Sequence, residues 1–222
     1  MGQRAEGGGE PPGLSRAAFL RRASAAGAVA MVPAGVLAPA VEAAAAPEPL
    51  QSLTTAQAAT LEAVLERLIP SDANGPGAKE AMVLRYVDRA LAGEQAAYKD
   101  AYVSGLAALD AYAGSTHGGA FASLPPDAQD AVLSEMEAGK ATGFTPDAKS
   151  IFEMFRTHCL QGMFGDPAHG GNVGFVGWDL VRFPGPRLIV SAHDQQLDVT
   201  PKTVRRSGFS YPNFRKLDPK EG

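Results

Sequence analysis

Apolar residues recur at helical spacing from Leu53 to Gly162 and lose that spacing beyond it. Leu61, Val64, Leu65, Leu68 and Ile69 stand at i, i+3, i+4, i+7 and i+8, one face of a first helix. Thr54 is placed to cap it, Gln57 completes a capping box three residues on, and Pro70 stops it. Residues 71–77 (SDANGPG) are turn chemistry throughout. A second helix presents Val83, Tyr86, Val87, Ala90 and Leu91. A third, after Gly93, presents Tyr98, Ala101, Tyr102, Gly105, Leu106, Leu109 and Tyr112, before residues 114–119 break the chain again. Pro126, at a first helical position, opens a fourth helix with Val132, Leu133 and Met136 inside, ended by Gly139. A fifth is expected with Thr145 as N-cap, Pro146 at N1 and Asp147 in the first turn. Its face carries Ile151, Met154, Phe155, His158, Cys159 and Gly162. The predicted fold class is all-α: a small helical bundle with a long irregular C-terminal region. Residues 188–190 (LIV) read as one short extended stretch, and the polar residues after them as a tail that wraps or trails.

The loss of periodicity coincides with residues 158–187, HCLQGMFGDPAHGGNVGFVGWDLVRFPGPR. Seven glycines, three prolines and four large aromatics (Phe164, Phe175, Trp178, Phe183) fall in this stretch, including the only tryptophan. That glycine density predicts an irregular segment rather than a helix or an alternating strand. Large apolar side chains on such a segment have to pack against something, which points to a surface shaped for a partner.

Charge narrows the partner. The formal net charge is −4, and four arginines against two glutamates lie in residues 1–40, so the remainder holds 16 basic and 22 acidic residues. An acidic chain without a basic stripe argues against a nucleic-acid ligand. One cysteine, Cys159, excludes an intrachain disulfide, and no CxxCH site for covalent haem occurs.

The first forty residues read as an export signal. Arg16, Arg21 and Arg22 precede an apolar run from Ala23 to Leu37, and Ala38-Pro39-Ala40 supplies a small-x-small cleavage site. The run is short and alanine-rich for a spanning helix, which needs about 20 apolar residues. Ser15-Arg16-Ala17-Ala18-Phe19-Leu20-Arg21 resembles the twin-arginine motif S-R-R-x-F-L-K, but Ala17 replaces the second arginine, which leaves open a degenerate twin-arginine signal, use of the Arg21-Arg22 pair, an ordinary secretory route, or a basic arm before a buried helix. The expected organisation is an export signal over 1–40, an Ala/Pro-rich linker over 41–52, a helical domain over 53–187 and an extended tail over 188–222.

Candidate chemistry is sparse. Cys159 beside His158 on one helix points about 100° away from it, a poor geometry for a nucleophile and its base. Cys159 is therefore expected in the core, and His158 at the edge of an apolar stripe is expected to satisfy itself on a neighbour. Asp72, Asn74 and Gly75 echo the start of a calcium loop, but no glutamate stands at its twelfth position and Pro76 intervenes. His117, His158, His169 and His193 show no HxxxH spacing. Gly170, Gly171, Gly174 and Gly177 lack the preceding strand and following helix of a dinucleotide fingerprint, so no flavin or nicotinamide site is expected on this chain. Asp179 near Arg182 is a candidate local ion pair.

Three further segments and the export signal together carry a family resemblance. The first helix ending LIPSDANGPGA, the helix with Tyr86-Val87-Asp88-Arg89, and GMFGDPAHGGNVGFVGWDLVRFPGPR resemble the small (gamma) subunit of gluconate 2-dehydrogenase, subunit 3. The resemblance spans about Leu53 to Arg187. It implies a non-catalytic, periplasmic or extracytoplasmic partner of a large flavoprotein of the glucose–methanol–choline type. In such complexes the large subunit carries FAD and oxidises a sugar, sugar acid or related alcohol, and a cytochrome c subunit often passes electrons to membrane quinones. The small subunit is associated with export and maturation of the large one, and reaches the membrane only through its partners. Arg16, Phe19, Leu20, Arg21 and Arg22 would then carry the twin-arginine export.

On that reading Phe164, Asp166, Pro167, Gly170, Gly171, Asn172, Trp178, Phe183 and Pro184 are expected to form the contact with the flavoprotein. Gly171 and Asn172 would set the turn, because glycine accepts positive φ freely and asparagine better than most residues. Trp178 would be the main anchor. Two other classes stand beside it: a self-sufficient secreted enzyme using His158 or His169 in a metal-assisted reaction, and a solitary periplasmic scaffold module. The first predicts metal and activity in the isolated chain, the second a stable monomer without a large exposed apolar patch.

Overall fold

The structure, a computed structural model, describes residues 48–212. The expected export signal, the linker up to Pro47 and the last ten residues lie outside them. The described part is helical, with α1 over Thr55–Leu68, α2 over Val83–Ala92, α3 over Lys99–His117, α4 over Pro126–Glu137, α5 over Ala148–Phe164 and a short α6 over Val176–Leu180. No strand occurs among the described residues.

Helix α5 is the central post, packed against each of the other five helices. Its buried side is Ile151, Phe152, Phe155, His158, Cys159, Gly162 and Met163. Leu61, Val64 and Leu65 of α1, Val83, Val87 and Leu91 of α2, Tyr102, Leu106 and Leu109 of α3, and Val132, Leu133 and Met136 of α4 close the core around it. Gly162 lets α2 approach: a Cβ there would lie 2.8 Å from both Tyr86 and Val83 side chains. Polar contacts fix the order of the helices. Arg67 of α1 grips Asp130 of α4 in a two-pronged pair at 2.6 and 2.5 Å, which holds the Asp130 carboxyl below its ordinary range. Asp110 of α3 accepts from Thr60 of α1 at 3.0 Å and from the backbone N–H of Phe121 at 3.0 Å.

The caps mostly follow the sequence pattern. Thr54 and Gln57 form the reciprocal capping box on α1. Four details differ. Asp147, not Thr145, is the N-cap of α5, accepting from the N–H of Ser150 at 2.9 Å, because an aspartate one residue before the helix reaches its third amide directly. Helix α3 continues through Gly114 to His117 before Gly118 (φ 79°) ends it. The expected irregular segment begins only after Phe164, since Cys159, Gly162 and Met163 keep helical register with the core, and residues 176–180 form another helical turn. Residues 188–190 form no strand; their side chains are exposed.

Two buried polar groups stand out: Asp88, which the pattern did not mark, and His158, which satisfies itself on a neighbour as expected. Asp88 on the buried side of α2 accepts from the backbone N–H groups of Gln51, Ser52 and Leu53 at 2.7, 2.9 and 2.9 Å. The folded unit therefore begins before Leu53, with the end of the expected linker pinned to α2. His158 is buried, stacked on Tyr102 and hydrogen-bonded to its hydroxyl through Nδ1 at 2.9 Å, with Tyr98 edge-on. Burial lowers the His158 pKa from its ordinary 6.5 and raises that of Tyr102, so both are neutral at pH 7.

Each generates an expectation. Asp88→Ala strands three amides and should lower stability by about 2–3 kcal/mol, read as a shifted urea midpoint with faster proteolysis near residue 50. For His158, the unfolded chain binds a proton near 6.5 while the folded chain resists it, so stability falls as pH drops below that value. His158→Phe should flatten the acid limb of the stability profile by at most about 1.4 kcal/mol per pH unit; an unchanged limb would exclude this role.

Candidate partner-binding loop

An α-helix leaves its last carbonyls without intrahelical partners. At the end of α5 the following loop supplies donors to two carbonyls. Trp178 donates its indole N–H to the Phe164 carbonyl at 2.9 Å, and the Asn172 side-chain amide donates to the Gly165 carbonyl at 2.8 Å. Asn172 Oδ1 then accepts from the Gly177 N–H at 2.8 Å, fastening the loop to itself. The backbone runs hard against the helix end: a Cβ on Gly171 would sit 2.2 Å from the Gly162 carbonyl oxygen, and one on Gly177 would sit 1.8 Å from that of Met163. Only glycine fits at either place.

This geometry distributes the expected contact residues unequally. Gly170, Gly171, Asn172 and Trp178 are buried within the chain. Trp178, expected as the main anchor, is the loop's own core, 6% exposed and flanked by Phe175 and Phe183 at ring separations of 5.3 and 4.9 Å. Phe164 is half-buried against the bundle. Asp166 caps the turn Pro167–His169 through the Ala168 N–H and accepts from the Gly208 N–H at 2.6 Å. The Pro184 carbonyl accepts from Val204 N–H at 2.8 Å. Phe183 alone of the nine is a large exposed apolar side chain, and Leu180 and Val181, absent from the sequence list, are exposed beside it in the chain. The turn differs as well. Gly170 (φ 101°) and Asn172 (φ 45°) carry the positive φ, whereas Gly171 is needed for the close approach. Asp179 pairs with Arg205 at 2.6 Å rather than with Arg182.

The segments that carry the family resemblance form one assembly. Arg85 of α2 donates through Nε to the Gly170 carbonyl at 2.7 Å, and the Arg89 side chain lies where a Gly170 side chain would be. Both arginines also reach Glu48, Arg89 through a short ion pair. On the other side, residues Asp72, Asn74, Gly75 and Pro76 share a shallow cleft with Leu180, whose tip sits 3.1 Å from where a Gly75 Cβ would stand. The C-terminal segment straps the loop from outside: Phe209 packs edge-on to His169, and the Tyr211 hydroxyl donates to the Pro186 carbonyl. The tail thus wraps the loop over residues 204–211.

Other candidate chemistry is used structurally. Cys159 is buried, and burial pushes its thiol up to about 12, far from a reactive thiolate. The Asp72 carboxylate is turned inward on Asn74, accepting from its N–H at 2.7 Å and from its side-chain amide at 3.0 Å. Among the described residues no three His, Cys, Asp or Glu side chains converge as a metal set. Gly171 and Gly177 face carbonyl oxygens, the wrong partial charge for a phosphate, so these residues do not fit a dinucleotide. No helix among the described residues is long and apolar enough to cross a membrane.

Because the loop depends on contacts too close for a side chain, Gly177→Ala should detach α6 from α5. The expected outcome is a loss of about 2–4 kcal/mol with a red-shifted Trp178 emission, while far-UV dichroism reports α1–α5 intact. Native-like emission would overturn the capping account.

Neither a curated protein nor a solved structure matches the chain. The family described as gluconate 2-dehydrogenase subunit 3 matches residues 55–185, from the first residue of α1 to the end of the capping loop. That span takes in every helix of the bundle and most of its loop, and the chain therefore belongs to the gluconate 2-dehydrogenase subunit 3 family.

Proposed function

We propose that this chain is the non-catalytic small subunit of an FAD-dependent sugar or sugar-acid dehydrogenase of the glucose–methanol–choline type. It supports export, maturation and stability of the flavoprotein subunit, which holds the FAD and oxidises the substrate. A cytochrome c subunit is a further component of such an assembly, and any membrane association runs through the partners. Residues 1–40 would carry the complex to the periplasm by the twin-arginine route, which accepts folded, cofactor-loaded cargo.

One observation supports the reading beyond the family's name. The capping loop spends Asn172 and Trp178 on its own rigidity and leaves Leu180, Val181 and Phe183 exposed at 38%, 55% and 41%. Apolar side chains on a pre-ordered frame suit a protein interface, because little conformational freedom remains to be lost on binding. Phe183 replaces Trp178 as the anchor in this proposal, with Trp178 as the support beneath it.

The test is recovery of flavin with a tagged copy of the chain from its native host. The wild-type chain should bring down a larger yellow polypeptide. Val181→Asp and Phe183→Asp should each lower recovery about tenfold or more while far-UV dichroism stays native, and Val181→Asp should leave Trp178 emission unchanged as well. A wild-type chain that elutes alone and colourless would end the proposal.

A further inference from the structure

After Pro186 the chain builds a second exposed structure, outside the residues matched to the family. Arg187 forms its neck, donating to the Lys202 carbonyl at 2.7 Å and to the Asp194 carboxylate at 3.2 Å. Asp194 in turn accepts from the backbone N–H and hydroxyl of Ser191 at 2.9 and 2.7 Å, fixing the turn His193–Gln195. Beyond the neck, Val204 rejoins the capping loop at the Pro184 carbonyl. Residues 188–203 are thus a closed arm, held by polar bonds at its base. Four of its five large aliphatic side chains point into solvent, Leu188 at 48% exposed, Ile189 at 84%, Val190 at 53% and Leu197 wholly so, while Val199 is half-buried. A closed arm that leaves four large aliphatic side chains uncovered has its main hydrophobic contact elsewhere.

Charge indicates what that contact is. Residues 48–178 hold 8 lysines and arginines against 16 acidic residues, whereas residues 179–212 hold 5 against 3. The acidic bundle therefore carries a locally cationic end, with Arg182, Lys202 and Arg206 on either side of the arm in sequence and Arg205 held by Asp179. We propose that residues 188–203 are a docking arm for the flavoprotein subunit. Leu188, Ile189, Val190 and Leu197 enter an apolar cleft on that partner, and a rim of carboxylates there meets the cations beside the arm. The proposal rests on the partnership argued under Proposed function and adds the contact that selects one partner over another. An anionic membrane is the weaker occupant, because Asp194 and Asp198 flank Leu197 and would be driven against negative headgroups. The bundle's negative charge turns an acidic partner toward this end, so association is steered and salt-sensitive.

The decisive experiment measures affinity between the full-length chain and the flavoprotein purified from its native host. Replacing Leu188, Ile189 and Val190 together by serine removes exposed side chains only, so dichroism and Trp178 emission should stay native while Kd rises about tenfold or more. Wild-type affinity should fall as salt is raised, and Lys202→Glu should weaken that dependence. A triple-serine variant binding like wild type would overturn the arm, and if Val181→Asp still releases the partner then the partnership itself survives. Loss of sedimentation with phosphatidylglycerol vesicles in the triple variant, with partner affinity unchanged, would also overturn it in favour of a lipid contact. A wild-type chain that recovers no flavoprotein would remove both proposals together.

Discussion

The C-terminal end of α5 is the constraint around which the rest is arranged. A helix at the centre of a bundle cannot leave its last carbonyls dry and unpaired, since each buried, unsatisfied group costs on the order of 1–3 kcal/mol. Here a loop brings an indole N–H and a carboxamide to two of them, and its glycine backbone lies close over two more without donating to them. The sequence GGN…GW is, physically, a long-range C-cap. Its rigidity follows from that duty, and the exposed residues at 180–183 inherit it.

Helix α2 ties this cap to the other end of the described chain. Its buried side packs Val83 and Val87 on α5 and turns Asp88 to residues 51–53, while its polar side sets Arg85 and Arg89 against both Gly170 and Glu48. One short helix therefore anchors the entering segment and the capping loop through adjacent turns. Loosening either side releases a contact of the other.

The bundle was legible because its signals are local. Apolar spacing, the Thr54/Gln57 box and Pro126 each act within four residues, and the structure keeps them. The thirty-residue stretch after His158 was legible in composition and misleading in role. Large aromatics in a glycine-rich segment can face a partner or the chain's own backbone, and only the fold shows that Trp178 and Asn172 turn inward while Leu180 and Val181 turn out. Asp88 and Arg205 were missed for a related reason: a charged residue on a helix or tail carries no mark of a partner 26 to 37 positions away. The family resemblance reached further than the periodicity did, because it rested on three separated segments that the fold brings together.

The lone cysteine of this chain has a consequence for any passage through an oxidising compartment. Attack on a disulfide requires the thiolate, and a thiol held near 12 is ionised at neutral pH only to roughly one part in 10⁵. Cys159 is, in addition, enclosed beside the stacked Tyr102–His158 pair, out of reach of a foreign sulfur. Once folded, the chain therefore offers a disulfide-exchanging enzyme no accessible thiolate to couple to.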